Sequence, residues 1–403
     1  MTDDMKRVLI LTGDAGFGHR SAAEALQKAL KTIIGENCVV KIENPLNNPM
    51  VPDVIRKSQN DYDAIVKKLP ELYKTGYQIS DSNLPVSLME AGFIVLLYQV
   101  VKKTIKEFNP DLVITTYPIF SAPMDAINKL SNSHFPFITV VTDLVTVHHV
   151  WFNAGANLIT VPTEAAAQRA VDAGISPEKI LKTGIPVDPQ IQNLKEIRVA
   201  EIRKELGWQE DRTTILVVGS PRIGSLNAFV EVFDISGYDF QLALVASGND
   251  EILQSFKQTH WYHPNFVYDF VENMPKLMRA ADIMVCKAGG LITTESLASG
   301  LPIMHIHYLP GQEKGNVDFV TENGAGQYCP TPLEALKTLS TWLRDDRKLL
   351  RGTAENASKL VPPDAAMIIA EKVCDLLNQP KPVFTEKDST PFRELLANFN
   401  IRI

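Results

Sequence analysis

The apolar positions of this chain fall into short continuous runs, each followed by a glycine-bearing loop and then by an apolar stripe at helical spacing. Val8 to Thr12 is the first such run; it breaks at Gly13, and Ala22, Ala25, Leu26, Ala29, Leu30 and Ile33 then share one face of a helix. Runs over 111–116 and 136–141 repeat the pattern, separated by stretches long enough for crossover helices. The first half therefore predicts a doubly wound parallel sheet. The pattern restarts over 214–219, 241–245, 282–286 and 302–306, which predicts a second α/β sheet. Between the two, Thr183 to Pro189 carries prolines and a glycine that break both periodicities and mark a hinge near 185–195. The expected domains are 1–188 and 189–403, and the pattern leaves open a return of the last helices to the first domain.

Residues 50–108 fit this scheme poorly and read as an insertion. Its end places Phe93, Ile94, Leu96, Leu97, Tyr98, Val100 and Val101 ahead of Lys102, Lys103 and Lys106. That mixture suits a helix lying in a membrane interface, and equally a helix buried in a core.

Composition narrows the classes. With 403 residues the chain exceeds one ordinary core, and 45% hydrophobic against 22% charged residues is the balance of a globular protein. A formal charge of −7 argues against a nucleic-acid partner, whose grip depends on neutralising phosphates. Cys38, Cys286, Cys329 and Cys374 show neither metal nor redox spacing and suit a reducing compartment. The N-terminus opens on Thr2, Asp3 and Asp4, the run Val8–Leu11 is too short for a signal-peptide core, and Ala91–Val101 falls short of the ~20 residues of a membrane span. The expectation is a cytoplasmic protein whose membrane contact is peripheral.

Four loops carry chemistry. Gly13 to His19 joins the first strand to the first helix, where Gly16 and Gly18 let backbone N–H groups approach an oxygen-rich ligand. The spacing is not that of a dinucleotide or P-loop fingerprint. His19 at the helix start reads either as a general base for an attacking hydroxyl or as a helix cap, and Asp14 as a group that orients the imidazole, contacts the acceptor or bonds nearby amides. Thr142 to Phe152 gathers Asp143, His148 and His149 beyond another strand, where ligands of open sheets collect. No carboxylate or cysteine completes a metal set around the paired histidines by spacing. Lys287, Gly289, Gly290, Thr293, Thr294 and Glu295 form a strand, glycine turn and helix suited to a diphosphate, with Glu295 one turn in, where an acceptor meets ribose hydroxyls. Pro310 to Asn316 follows the next strand and is dense in partners for sugar hydroxyls.

These residues resemble the monogalactosyldiacylglycerol synthase and processive diacylglycerol glucosyltransferase family, relatives of the GlcNAc transferase that makes lipid II. The likeness spans nearly the whole chain. Gly13 to Arg20, Pro110 to Pro118, Val141 to Phe152, Gly184 to Val187, Lys287 to Gly289 with Gly300 to Pro302, and Gly311 to Val317 each look like a family segment. The resemblance implies a GT-B architecture, two Rossmann-like doubly wound α/β domains facing across a cleft. It also implies an inverting UDP-sugar hexosyltransferase that makes a β-glycosyl lipid on the inner face of the cell membrane. The donor is UDP-galactose or UDP-glucose, the acceptor diacylglycerol or a related lipid, the surface one that includes anionic lipids. UDP-sugar is a co-substrate; no cofactor or obligatory metal is implied, and the one Asp-x-Asp, Asp61 to Asp63, lies in the insertion.

On the same pattern His19 and Asp14 face the acceptor hydroxyl, Phe270 and Val271 flank the uracil, and Glu295 holds the ribose. Gln312, Glu313 and Asn316 contact the donor sugar and diphosphate. The family's glycine-rich segment after the second domain's first strand is here Gly219, Ser220, Pro221, Arg222, Ile223 and Gly224, with fewer glycines and an added arginine. Four alternatives stay open: a UDP-GlcNAc 2-epimerase of the same architecture, a GlcNAc transferase with another lipid acceptor, a soluble enzyme glycosylating a small hydrophobic alcohol, and a non-catalytic nucleotide-sugar sensor.

Overall fold

The computed structural model describes residues 5–14, 17–53, 56, 81, 83–130, 135–224 and 226–378. Among them, residues up to 186 together with those from 365 onward form one compact unit, and 187–364 form the other. Gly16, Asp61 and Asp63 lie outside the described residues.

The first unit is built on six parallel strands: β1 (Lys6–Leu11), β2 (Cys38–Glu43), β3 (Leu112–Thr115), β4 (Phe137–Val140), β5 (Leu158–Val161) and β6 (Ile180–Lys182), in the order β2-β1-β3-β4-β5-β6. Alternate side chains leave opposite faces of each strand. Leu9, Leu11 and Val113 face one core, shared with the helix Asn83–Phe108; Val8, Ile10, Leu112 and Ile114 face a second, shared with Phe17–Ile34 and Ala365–Leu377. The last described helix thus packs on the first unit through Ala366, Ile369, Ala370 and Val373.

The helix Asn83–Phe108 decides how its end is to be read. Leu97, Tyr98, Val101, Ile105 and Phe108 recur at helical spacing and are buried on the sheet. The membrane-interface expectation for residues 93–106 is corrected to that extent, because the apolar stripe already has a sheet to cover. Leu88 and Leu96 remain exposed. No helix of the described residues is long and apolar enough to cross a membrane.

The second unit repeats the plan with β7 (Thr213–Val218), β8 (Phe240–Val245), β9 (Asn265–Tyr268), β10 (Ile283–Lys287), β11 (Ile303–His307) and β12 (Gly326–Tyr328), all parallel, in the order β12-β11-β10-β7-β8-β9. The order in which successive strands are laid down reverses at β1/β3 in the first sheet and at β7/β10 in the second. At such switch points crossover helices diverge to opposite faces and leave room for a ligand beyond the carboxyl ends of the strands.

Candidate functional site

In the first unit the polar residues gather at the carboxyl ends of β1, β3 and β4. The ladder continues past β1 and β3, with Thr12 N bonded to Glu43 O and Thr116 N to Leu11 O, both at 3.0 Å. Thr116 Oγ1 lies 2.9 Å from both Thr12 Oγ1 and the His19 carbonyl, which ties the start of the helix Phe17–Ile34 to the sheet edge. His19 Nδ1 lies 3.0 Å from the Thr116 carbonyl and 2.7 Å from Thr142 Oγ1. A carbonyl only accepts, so the Nδ1 proton is donated there and the lone pair is on Nε2. Among the described residues Nε2 has no hydrogen-bond partner. Tyr117 stands edge-on to the imidazole at 4.7 Å, and a side chain at Gly13 would collide with that tyrosine at 2.9 Å. Burial lowers the imidazole pKa to about 4, only partly offset by the bond to Thr116, so the ring is neutral near pH 7. A neutral, oriented imidazole with Nε2 available has the form of a general base.

Asp14 does a different job. Its Oδ1 accepts from Arg20 Nε at 2.7 Å, and its Oδ2 accepts from Asn44 Nδ2 at 2.7 Å and Asn47 Nδ2 at 3.2 Å. Burial alone would raise this carboxyl, but the Arg20 and Asn44 bonds outweigh it and hold the pKa below the ordinary value. The expectation that Asp14 orients the imidazole is corrected: Thr116 and Thr142 hold Nδ1, and Asp14 fastens the loop to the Asn44–Asn47 turn. Gly18 lies within the first turn of the helix, one residue before His19.

Asp143 and His148 are likewise placed by structural partners. Asp143 Oδ2 accepts from Trp151 Nε1 at 2.7 Å, and Trp151 lies 6.0 Å from the His19 ring. Buried His148 caps a short 3-10 turn, its Nδ1 accepting from Val150 N at 3.1 Å. His149, which the histidine pair had offered as a ligand, lies 2.9 Å from Asp81 Oδ1 through its Nδ1, and the other oxygen of Asp81 pairs with Arg169.

In the second unit the loops after β7, β10 and β11 carry the expected residues. Lys287 ends β10, and its amine is ion-paired with Glu313, whose second oxygen accepts from Leu309 N at 2.7 Å. Gly311, at φ 91°, takes the left-handed turn that brings Glu313 back beneath its own loop. Asn316 donates to the Ala288 carbonyl at 2.9 Å and is buried, while its Oδ1 has no partner among the described residues. Lys287, Gly289, Gly290, Glu313 and Asn316 therefore form one connected group at the start of the helix Gly290–Ala298, where free N–H groups and the helix dipole favour an anion. Gln312 lies between Gly311 and Glu313 in the same loop.

Thr293 and Thr294 do not join it. Both are fully buried: the Thr293 hydroxyl lies 3.0 Å from His305 Nε2, and Thr294 donates to the Gly290 carbonyl at 2.8 Å. Their expected role as diphosphate hydroxyls is corrected to packing and helix-to-strand fastening, since neither faces outward. Gly219 also has a local reason, because a Cβ there would stand 2.9 Å from the Val245 carbonyl. Ser220 Oγ accepts from Arg222 N at 3.4 Å. Phe270 is 56% exposed beyond β9, beside the Gly248 turn, and Val271 packs against the core.

Glu295 is one turn into the helix and partly buried, with no salt-bridge partner among the described residues. Burial, and then the neighbouring Asp188 charge, push its pKa up to about 8, so near neutral pH the carboxyl is largely protonated and can both donate and accept. Because the folded value lies above the ordinary one, the native state binds more protons than the unfolded chain across that window, and stability falls as pH rises through it. The melting temperature of Glu295→Gln should therefore gain on wild type between pH 5 and pH 8.5. Parallel melting curves would remove this assignment.

Sequence reasoning passed over four residues that matter here. Thr116 and Thr142 hold the imidazole, yet a threonine after a strand carries no signal in one dimension. His305 and His307 at the end of β11 alternate with buried apolar residues and read as strand filler.

The profile of the monogalactosyldiacylglycerol (MGDG) synthase family matches residues 19–187, and that of the glycosyltransferase family 28 C-terminal domain matches 214–359. The chain is 31% identical over 385 residues to the chloroplastic monogalactosyldiacylglycerol synthase of Spinacia oleracea, covering 93% of this chain and 73% of that relative. Two solved structures share the fold at a TM-score of 0.58. One is MurG of Acinetobacter baumannii, 16% identical and covering 92% of this chain and 99% of its own. The other is the UDP-GlcNAc 2-epimerase of Neisseria meningitidis bound to UDP-GlcNAc, 14% identical and covering 92% and 100%. At such distance the likeness is one of fold alone, so transferase and epimerase match equally and sequence identity decides between them. On that ground this chain, with its two six-stranded sheets of GT-B type, belongs to the monogalactosyldiacylglycerol synthase family.

Proposed function

We propose that this protein transfers galactose from UDP-galactose to the primary hydroxyl of diacylglycerol, by single displacement with inversion, to give a β-galactosyl lipid. The observation that carries this reading is the identity to the spinach synthase, which runs through both units. The local chemistry agrees with it. In the first unit Nε2 of His19 accepts the acceptor proton, its ring held by Thr116 and Thr142. In the second unit the helix beginning at Gly290 and the Lys287 amine meet the diphosphate, and Glu295 meets the ribose. A fixed ammonium and a helix N-terminus balance the leaving UDP, so the reading needs no metal. The exposed Leu88 and Leu96 and the lysines Lys103 and Lys106 favour peripheral association with an anionic cytoplasmic membrane face.

The test is incubation of the protein with anionic or zwitterionic liposomes containing diacylglycerol and, separately, UDP-galactose, UDP-glucose or UDP-GlcNAc, followed by mass spectrometry and NMR of the lipids. A hexosyl-diacylglycerol from UDP-galactose with a β anomeric proton is the expected product. Product from another donor alone would reassign the sugar, an α anomer would overturn inversion, and binding of UDP-sugar without any turnover would leave a sensor.

A further inference from the structure

The carboxyl end of the second sheet is irregular at one point. Cys286 pairs with His305, but Lys287 pairs with His307, so Ile306 is an extra residue on β11 and the register shifts. The Ala288 amide then bonds the His307 carbonyl at 2.8 Å, which fixes the bulged strand end to the turn that starts the helix Gly290–Ala298. Bulges at sheet ends re-aim side chains next to ligand sites. This one stands His307 opposite Lys287, at the mouth of the anion-favouring group of Lys287, Gly289 and Gly290. The His307 ring is partly exposed and has no hydrogen-bond partner among the described residues, whereas His305, two positions earlier, is buried against Thr293.

We propose that His307 is a further donor-binding residue, which takes up one proton from solvent when a nucleoside diphosphate occupies the Lys287–Gly290 turn and so adds positive charge beside the leaving group. The proposal rests on the donor site assigned above to the second unit. The groups that face the ring come from three elements: Lys287 on β10, Arg222 in the loop after β7, and Glu313 in the loop after β11. Burial first, then the Lys287 charge, lower the His307 pKa; Glu313 pulls it upward and Arg222 lowers it again. In the empty site the ring is therefore held neutral. A bound diphosphate puts two negative charges against the same cations, reverses the balance and stabilises the imidazolium. Arg222, in the loop after β7, makes this site more cationic, and the histidine adds its charge only on demand. His305 stays neutral throughout, its pKa lowered to about 3 by burial.

The experiment is calorimetric titration of the full chain with UDP-galactose, without acceptor lipid, at pH 7.5 in buffers of different ionisation enthalpy. The diphosphate of a UDP-sugar has no proton to exchange near that pH, so the buffer dependence counts protons bound by the protein. Wild type should take up a substantial fraction of one proton more than His307→Gln, in which any remaining exchange belongs to Glu295, and the variant should bind about tenfold more weakly. Binding with equal uptake in both proteins would overturn the inference and leave the donor site standing. Absence of UDP-galactose binding by folded wild type would overturn both. If His307→Gln does not fold, His307→Asn takes its place.

Discussion

Replacing His19 with asparagine should lower kcat by about 10²–10⁴-fold while the affinity for UDP-galactose stays within about threefold of wild type. The reason is the division of labour on the ring. Nδ1 is occupied by the Thr116 carbonyl and the Thr142 hydroxyl, which leaves Nε2 as the basic atom. Asparagine keeps a polar side chain near the sheet edge but offers no base, so the loss falls on the chemical step rather than on donor binding. The pH profile gives an independent reading. Since burial lowers the imidazole pKa to about 4, the acid limb of wild-type kcat/KM should lie well below the ordinary histidine value of 6.5, with activity lost as pH falls through it. An acid limb near 6.5, or a variant within tenfold of wild-type kcat, would remove His19 from the role of base.

Lys287→Met should cost about 3 kcal/mol of stability and raise the donor KM at least ~tenfold. Both effects follow from the ion pair with Glu313, in which side-chain exposure is only 14% for the lysine and 9% for the glutamate. Removing the amine leaves a mostly buried carboxylate, held on its other side by Leu309 N, without its counter-charge. The double variant Lys287→Met/Glu313→Gln separates the two roles, because it removes the stranded charge together with the amine. Denaturant melts of the double variant should return close to wild type, whereas its donor KM should stay high, since the cation that meets the diphosphate is still missing. Recovery of both quantities would make Lys287 a structural residue only.

Much of the architecture is legible along the chain because parallel strands covered on both faces must be apolar throughout. β1, β3, β4, β7, β8, β10 and β11 announce themselves as continuous runs. The four edge strands β2, β6, β9 and β12 do not, and the reason is physical. An edge strand has one neighbour and keeps exposed positions, as Val39 and Lys41 do in β2, so its apolar signal is diluted. The helix over 83–108 could not be divided between core and membrane from its composition; burial of Leu97, Val101 and Ile105 divides it.

The sites show the same boundary. Which loops carry chemistry follows from local order alone: a glycine turn after an apolar run must sit at the carboxyl end of a parallel strand, and His19, Lys287, Glu295 and Glu313 are placed by that rule before any coordinates exist. Which atoms of those loops are available does not follow, because hydrogen-bond partners come from strands far away in the chain. Thr293 is closed off by His305, Asp14 is drawn to Asn44 and Asn47, and the His19 ring is turned by Thr142, 123 residues further along. His307 reaches Lys287 only because one extra residue bulges β11, a feature with no mark in the sequence, since pairing register is a property of two strands and not of either.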